Sequence, residues 1–171
     1  PIYIATLLSS DKPLRTTLAD AGQPSEARKA IAQQLLEGRV SASAVSLAVA
    51  AVTTRWADAD ELVEALDELG AVVAFIAAQA DGTLDRVEEE LFLFGRTVEA
   101  NPDLQMTLTD PSLPAAGKAA IVRELVSAGA APTTTALLSH LAANLRGRRV
   151  AAAVQGLMSL AAAQRDRLVA Q

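Results

Sequence analysis

Apolar residues recur every three or four positions along almost the whole chain, which is the spacing of one face of an α-helix. Between residues 83 and 100 they fall at Leu84, Val87, Leu91, Phe94 and Val98. Composition agrees, because alanine and leucine, both strong helix formers, supply 61 of the 171 residues, whereas aromatic residues make up only 3%. We therefore predict an all-α protein, an antiparallel helical bundle with an aliphatic core.

Start and stop signals divide the chain into ten predicted helices. Asp58 with Glu61 three residues later is typical of a capped N-terminus, and Thr83 is in position to cap the following helix. The links are short, which favours antiparallel neighbours. The predicted helices span residues 2–9, 13–20, 24–37, 41–55, 58–80, 83–100, 102–109, 114–128, 132–145 and 148–168.

The chain contains an internal repeat at a shift of 90 residues. Across residues 14–47, nine positions are identical to the residue 90 positions later. Chance matching between alanine- and leucine-rich helices is the alternative. We predict two tandem related bundle units that share the long helix 58–80: a partial first helical-bundle unit over residues 1–70 and a six-helix bundle over residues 71–171. Superposed units should pair Ile31 with Ile121, and Leu35 with Leu125, in the two cores.

Charge is segregated along the chain, whose formal net charge is −5. Residues 58–100 hold 12 acidic and 2 basic side chains, whereas the segments on either side have net charges of +2 and +3. This acidic region is either a solvated face or a strip that docks a basic neighbour. The negative net charge argues against nucleic-acid binding. An RNA-binding helical bundle would have to use the basic segment 146–149, and the acidic segment 58–100 argues against this interpretation.

Residue types that support chemistry are scarce. The chain has no cysteine and one histidine, His140, which excludes thiolate metal sites, multi-histidine metal sites and cysteine nucleophiles. It has no glycine-rich phosphate loop and no nucleophile-elbow pattern. His140 is expected to be structural, although a pairing with serine stays open. The sequence thus predicts no catalytic residue, no cofactor and no metal site.

Other polar and aromatic groups have two interpretations each. The carboxylates of residues 58–68 and 85–90 are expected on an exposed surface, and Glu88, Glu89 and Glu90 point in different directions on a helix and so cannot share a metal. The arginines of segment 146–149 could bind an anion, or serve carboxylates or a helix end. Trp56 is expected to anchor in the core or against the next helix. No apolar run reaches the roughly 20 residues of a membrane helix.

Residues 101–118, NPDLQMTLTDPSLPAAGK, resemble a signature of the delta subunit of F-type ATP synthases, the bacterial relative of the mitochondrial oligomycin-sensitivity-conferring protein. Residues 83–91, TLDRVEEEL, resemble the second helix of that family. Residues 137–149 resemble its fifth helix and the start of its sixth. The first copy of the repeat is similar to the elongated actinobacterial form of this family. In some members of that form, the delta region is fused behind a b-type stalk subunit.

The resemblance covers residues 71–171 and implies the family's amino-terminal six-helix bundle. It implies a non-catalytic peripheral-stalk (stator) subunit that links the catalytic head of F-type ATP synthase to the membrane sector, at the cytoplasmic face of the bacterial cell membrane. The implied partners are the amino-terminal helix of an alpha subunit and a b-type stalk subunit. The family continues into a carboxy-terminal domain that binds the stalk, beginning where this sequence stops at Gln171, so we do not carry that binding over. The alternative is a generic helical protein–protein interaction module unrelated to ATP synthase.

The resemblance also implies a groove for the alpha-subunit helix between the first and fifth helices of the bundle, here residues 71–80 and 132–145. Both helices carry more apolar residues than one buried stripe uses. We expect the core stripe to contain Val72, Ile76, Leu137 and Leu141, and the second stripe to be an exposed docking face. In the alternative interpretation, neighbouring helices of the same chain cover that stripe. The predicted groove residues are Ala71, Ala74, Phe75, Ala78, Ala136, Leu138 and Ala142, with Phe75 and Leu138 as the larger anchors.

Overall fold

The computed structural model describes residues 2–126 and 129–169, and this part of the chain is helical without any strand. The all-α prediction is confirmed. Residues 127 and 128, predicted to end the eighth helix, and residues 170 and 171 lie outside the described residues. The helices are α1 (Ile2–Ser10), α2 (Lys12–Ala19), α3 (Ser25–Leu36), α4 (Ala42–Thr53), α5 (Ala59–Ala80), α6 (Leu84–Ala100), α7 (Pro102–Thr109), α8 (Ala115–Val126), α9 (Pro132–Ala143) and α10 (Val150–Val169).

The two predicted helix caps have different outcomes. Asp58 caps α5, because its Oδ1 accepts a hydrogen bond from the Glu61 backbone N–H at 2.9 Å while the Glu61 carboxylate accepts one from the Ala57 backbone N–H. Thr83 makes no side-chain cap on α6. Its hydroxyl instead donates to the Ala78 carbonyl at 3.2 Å and so satisfies the C-terminal end of α5. The cap predicted at Thr83 is therefore wrong.

Packing divides the chain into two compact units, Pro1–Gly70 and Ala71–Gln171, and each is described by itself. In the first unit α1 packs on α2, α2 on α3, and α3 on α4. Trp56 packs against this core and donates from Nε1 to the Ala51 carbonyl at 2.7 Å, so its predicted role as an anchor is confirmed. The larger core residues are Leu8, Leu18, Leu36, Val52, Leu62, Val63 and Leu66.

In the second unit α9 is the central helix. It packs against α6, α8 and α10, and α6 also packs along α10 and against α7. Helix α9 buries more than one stripe of its side chains against these neighbours, which determines the fate of the predicted groove. The buried residues of α6 are Leu84, Val87, Leu91, Phe94 and Val98, as the spacing predicts.

Helix boundaries repeat between the units. Helices α7, α8 and α9 each begin and end 90 residues after α2, α3 and α4. The turns repeat too: Oδ1 of Asp20 accepts from the Gly22 backbone N–H at 2.8 Å, and Oδ1 of Asp110 accepts from the Ser112 backbone N–H at 2.8 Å. These correspondences favour an internal duplication, which stays a prediction.

One predicted pair of core residues differs between the units. Leu35 packs against the first core, whereas Leu125 is half exposed, so its predicted core position is wrong. Leu35 and Leu7 line the same apolar space, but the residue 90 positions after Leu7 is Thr97. One position beside this space is therefore polar in the second unit.

Candidate docking surface

The predicted groove residues are mostly core residues. Phe75 and Leu138 are fully buried, so the prediction that they remain exposed as anchors is wrong. Ala71, Ala78 and Ala142 are also buried, Ala74 is half-buried, and Ala136 alone among the seven is exposed.

On α5 the buried and exposed stripes are the reverse of the prediction. Phe75 is 0% exposed and Ile76 is 48% exposed, although Ile76 was expected to face the core and Phe75 the solvent. Both stripes of this helix are apolar, so apolar character alone does not determine which stripe is buried, and the fold buries the stripe that contains Phe75. The exposed stripe consists of Ile76, Ala77 and Ala80, with half-buried Val73 one turn before them.

On α9 both candidate stripes are buried. Leu137, Leu138 and Leu141 all lie in the core because α6, α8 and α10 surround this helix. Its remaining outward positions are Pro132 and Ala136, which are exposed, and the half-buried His140 and Ala143. The alternative, in which helices of the same chain cover the second stripe, therefore holds for Leu138.

A carboxylate from α6 holds the N-terminus of α9. Helix α9 begins at Pro132, and its N-cap residue, Ala131, provides no side-chain cap. Instead, Oε2 of Glu90 accepts a hydrogen bond from the Ala131 backbone N–H at 2.9 Å and another from the hydroxyl of buried Thr134. Arg86 donates from Nε to Oε1 of Glu90 at 2.8 Å and also to the Gly129 carbonyl. Glu90 thereby caps a helix to which it does not belong.

The electrostatics of Glu90 follow from these contacts. Burial raises the pKa of its carboxyl, but hydrogen bonds from Thr134, from the Ala131 backbone and from Arg86, together with the charge of Arg86, lower the pKa by more. The net pKa lies below the ordinary value of 4.5. A carboxylate at the N-terminus of a helix also interacts favourably with the helix dipole.

The sequence prediction placed Glu90 on an exposed surface, and that is wrong. Two signals could have identified its role. Arg86 precedes Glu90 by four residues, a spacing at which helical side chains meet. The residue before Pro132 is Ala131, which cannot cap a helix with its side chain, so the first N–H groups of α9 need an acceptor from elsewhere. Glu88 is also largely buried, and its carboxylate accepts from Arg165 at 2.8 Å.

The basic segment 146–149 forms a tight turn between α9 and α10. Arg146 and Gly147 both have positive φ, 48° and 78°, and the Arg148 backbone N–H donates to the Leu145 carbonyl at 3.0 Å. Nε of Arg148 donates to the same carbonyl at 3.2 Å. At least one of the three arginines, Arg148, therefore donates a hydrogen bond to a backbone carbonyl next to a helix end, which is one of the two roles predicted for them.

Two general features of the described residues bear on function. They contain no group of three or more histidine, aspartate or glutamate side chains that could hold a metal ion. Nor is any of their helices long and apolar enough to cross a membrane. The large apolar side chains that are exposed among them all lie in the second unit: Ile76, Phe92, Leu93, Met106 and Leu125.

The fold and this surface define a class, an all-α bundle protein with uncovered apolar helix faces in its second unit. Comparison with known proteins identifies the family: residues 70–171 match the ATP synthase delta (OSCP) subunit family. The chain belongs to this family. The resemblance drawn from residues 101–118 is thereby confirmed.

Individual relatives extend the similarity over both units. The chain is 39% identical over 167 residues to "ATP synthase subunit delta" of Streptomyces coelicolor, covering 98% of this chain and 61% of that protein. It is 38% identical over 167 residues to the subunit of Streptomyces avermitilis, with 98% and 61% covered. For the subunit of Salinispora arenicola the identity is 35% over 169 residues, with 99% and 62% covered. The chain thus spans about three fifths of the length of these relatives.

Proposed function

We propose that this chain is part of a non-catalytic peripheral-stalk subunit of an F-type ATP synthase, which holds the catalytic head against the torque of the rotor. Membership of the delta (OSCP) family carries this proposal, and the similarity to relatives named "ATP synthase subunit delta" over 98% of the chain supports it. In this role the protein contributes to proton-driven ATP synthesis without an active site of its own. It works at the cytoplasmic face of the membrane, with a b-type stalk subunit as a second partner.

A stator must transmit force between its partners without unfolding locally. The second unit suits this task because its two longest helices beyond α5, namely α6 and α10, pack side by side. The Arg165–Glu88 ion pair at 2.8 Å joins them, and the Glu90 cap fixes the start of α9. A docking face on α9 would therefore be held firmly by neighbouring helices.

The partner-binding groove remains part of the proposal, with different anchors. The amino-terminal helix of an alpha subunit would lie along the outward faces of residues 71–80 of α5 and of α9. Ile76 is the large apolar contact on α5, and the small side chains of Ala77, Ala80 and Ala136 let a second helix approach closely. Phe75 and Leu138, which are fully buried, are not part of this face.

Titration of the full-length subunit with a peptide from the amino terminus of an alpha subunit tests the groove. Ile76→Glu and Ala136→Glu should each weaken binding roughly tenfold, as loss of an apolar anchor does, with helical content unchanged. Met106→Glu is the matched control, because Met106 is 66% exposed but lies on α7. Phe75→Glu and Leu138→Glu should unfold the second unit, since each places an unpaired charge in the core. Normal binding by both folded variants would refute the groove.

Complementation of a bacterial strain that lacks the subunit tests the stator role. Inverted membrane vesicles from the deleted strain should lose ATP synthesis, while detached catalytic heads continue to hydrolyse ATP. The full-length gene should restore synthesis, and the Ile76→Glu/Ala136→Glu double variant should restore it poorly. Normal synthesis without the subunit would overturn the proposal and would favour an interaction module that serves another complex.

A further inference from the structure

The outer face of α6 exposes a large aromatic side chain. Phe92 is 51% exposed and lies opposite the buried stripe that contains Val87, Leu91 and Phe94. An amphipathic helix normally turns polar side chains to solvent on this face. On the same face, Asp85 and Glu89 precede Phe92 by seven and three residues, a helical spacing that aligns all three along one stripe.

The carboxylates of α6 fall into two groups. Those of Glu88, Glu90 and Glu99 each form an ion pair, with Arg165, Arg86 and Arg96 respectively. The carboxylates of Asp85 and Glu89, in contrast, have no ion pair or hydrogen bond with any residue that the structure describes. The acidic groups without a counter-charge are therefore those that flank the exposed ring.

We propose that this stripe of α6 docks a cationic amphipathic helix of a neighbouring protein. Phe92 would fill an apolar position on the partner, and Asp85 and Glu89 would each meet a lysine or arginine. Residues 71–100 of the same unit, with 6 acidic and 2 basic residues, add a long-range attraction for such a partner. A second copy of this chain does not fit, because it would bring the same uncompensated carboxylates together.

The stripe also limits the shape of the partner. From Asp85 to Phe92 it extends about 10 Å, two turns at 1.5 Å per residue. A helix lying along it would carry two basic residues about one turn apart and an apolar residue about one turn beyond. This partner is additional to the alpha-subunit helix proposed above, because that helix is assigned to the faces of α5 and α9.

Site-specific crosslinking tests the proposal in the full-length protein, in membranes isolated from its native cells. The photoreactive residue p-benzoylphenylalanine replaces Phe92, and mass spectrometry identifies the segment crosslinked to it. We expect a helical segment with basic residues beside an apolar one. Raising the ionic strength from about 0.1 M to about 1 M, which shortens the screening length from ~10 Å to ~3 Å, should strongly lower the yield.

Charge-reversed variants make the experiment specific. Asp85→Lys with Glu89→Lys should lower the yield roughly tenfold, because two attractive pairs become repulsive. The variant with Asp85→Asn and Glu89→Gln should lower the crosslinking yield by a smaller factor. It removes both negative charges without adding positive charge to the first turn of α6. Glu64→Lys with Glu68→Lys is the matched control, since these residues are exposed four positions apart on α5 and change the net charge equally. The control should leave the yield unchanged.

Several results would overturn the inference. They are the absence of a crosslink, a crosslink to a second copy or to an acidic or uncharged segment, and a yield that resists charge reversal at residues 85 and 89. The same photoreactive residue at Ala136 tests the groove separately. A crosslink to an alpha subunit from position 136 with none from position 92 would refute this inference while the stator proposal stands.

Discussion

Replacing Glu90 by glutamine removes one negative charge and keeps the shape of the side chain. The carboxylate accepts from the Ala131 backbone N–H, from the Thr134 hydroxyl and from Arg86. Glutamine offers one carbonyl oxygen, so only part of this set can be satisfied, and its amide group turns N–H donors towards other donors. We therefore expect α9 to lose much of its N-terminal cap.

The magnitude follows from the hydrogen bonds that are lost. A hydrogen bond to a charged group contributes about 1.5–3 kcal/mol when its partner would otherwise be left unsatisfied. The ion pair of Glu90 with Arg86, whose side chain is exposed, adds no more than about 1 kcal/mol. Because glutamine retains one acceptor, we expect Glu90→Gln to lower the free energy of unfolding by about 2 kcal/mol.

The effect should depend on pH. The pKa of Glu90 in the folded protein is below its ordinary value of 4.5, so the carboxylate adds stability above that value, and this stability is lost as the pH falls through the folded pKa. The difference between wild type and Glu90→Gln should accordingly be largest near neutral pH and shrink as the pH falls below 4.5.

Urea unfolding followed by circular dichroism measures these differences. The control is Glu89→Gln, an exposed neighbour whose carboxylate binds no described residue, and its free energy of unfolding should change by less than about 0.5 kcal/mol. A double-mutant cycle of Glu90→Gln with Thr134→Val should give a coupling energy above about 0.5 kcal/mol. Equal effects of Glu90→Gln and Glu89→Gln, or strict additivity in the cycle, would refute the capping role.

Two further predictions concern packing and backbone conformation. Ala32 lines an apolar space in the first core, and the residue 90 positions later is the buried Val122. Ala32→Val should therefore raise the free energy of unfolding by up to about 1 kcal/mol. If urea unfolding shows a lower free energy of unfolding for the variant, the space cannot take two methyl groups. Gly156→Ala within α10 should raise it by about 1 kcal/mol, whereas Gly147→Ala, at φ 78°, should lower it by about 1 kcal/mol. Neither new methyl group would meet an atom within 4 Å, so thermal unfolding that shifts in the same direction for both would contradict the backbone argument.

The apolar periodicity was sufficient to identify the buried face where a helix has only one apolar stripe. On α6 all five predicted positions, from Leu84 to Val98, are buried. Charged residues occupy most of the other positions of this helix, so burying a second whole face would cost free energy.

The same reasoning failed on α5 and α9 because these helices are apolar on several faces. Periodicity then predicts the helix but not which of its faces is buried, because both Phe75 and Ile76 were acceptable core residues. Only the structure shows that Phe75 is the core residue of α5, and the burial of Leu138 beside Leu137 depends on the packing of α6, α8 and α10 around α9.

The role of Glu90 required tertiary contacts. Its partners Ala131 and Thr134 lie 41 and 44 residues further along the chain. The run of three glutamates suggests a solvated surface, and only the meeting of α6 with α9 turns one of them into a helix cap.

The sequence by itself determined the all-α fold, the positions of the helices and the family, because helical period, capping residues and short motifs are properties of neighbouring residues. The tertiary structure decided the rotation of α5, the burial of Leu138 together with Leu137 and Leu141 on α9, and the partners of Glu90. Those features depend on which helices lie next to each other, and hence on the burial of apolar area and on hydrogen bonds between residues far apart in the chain.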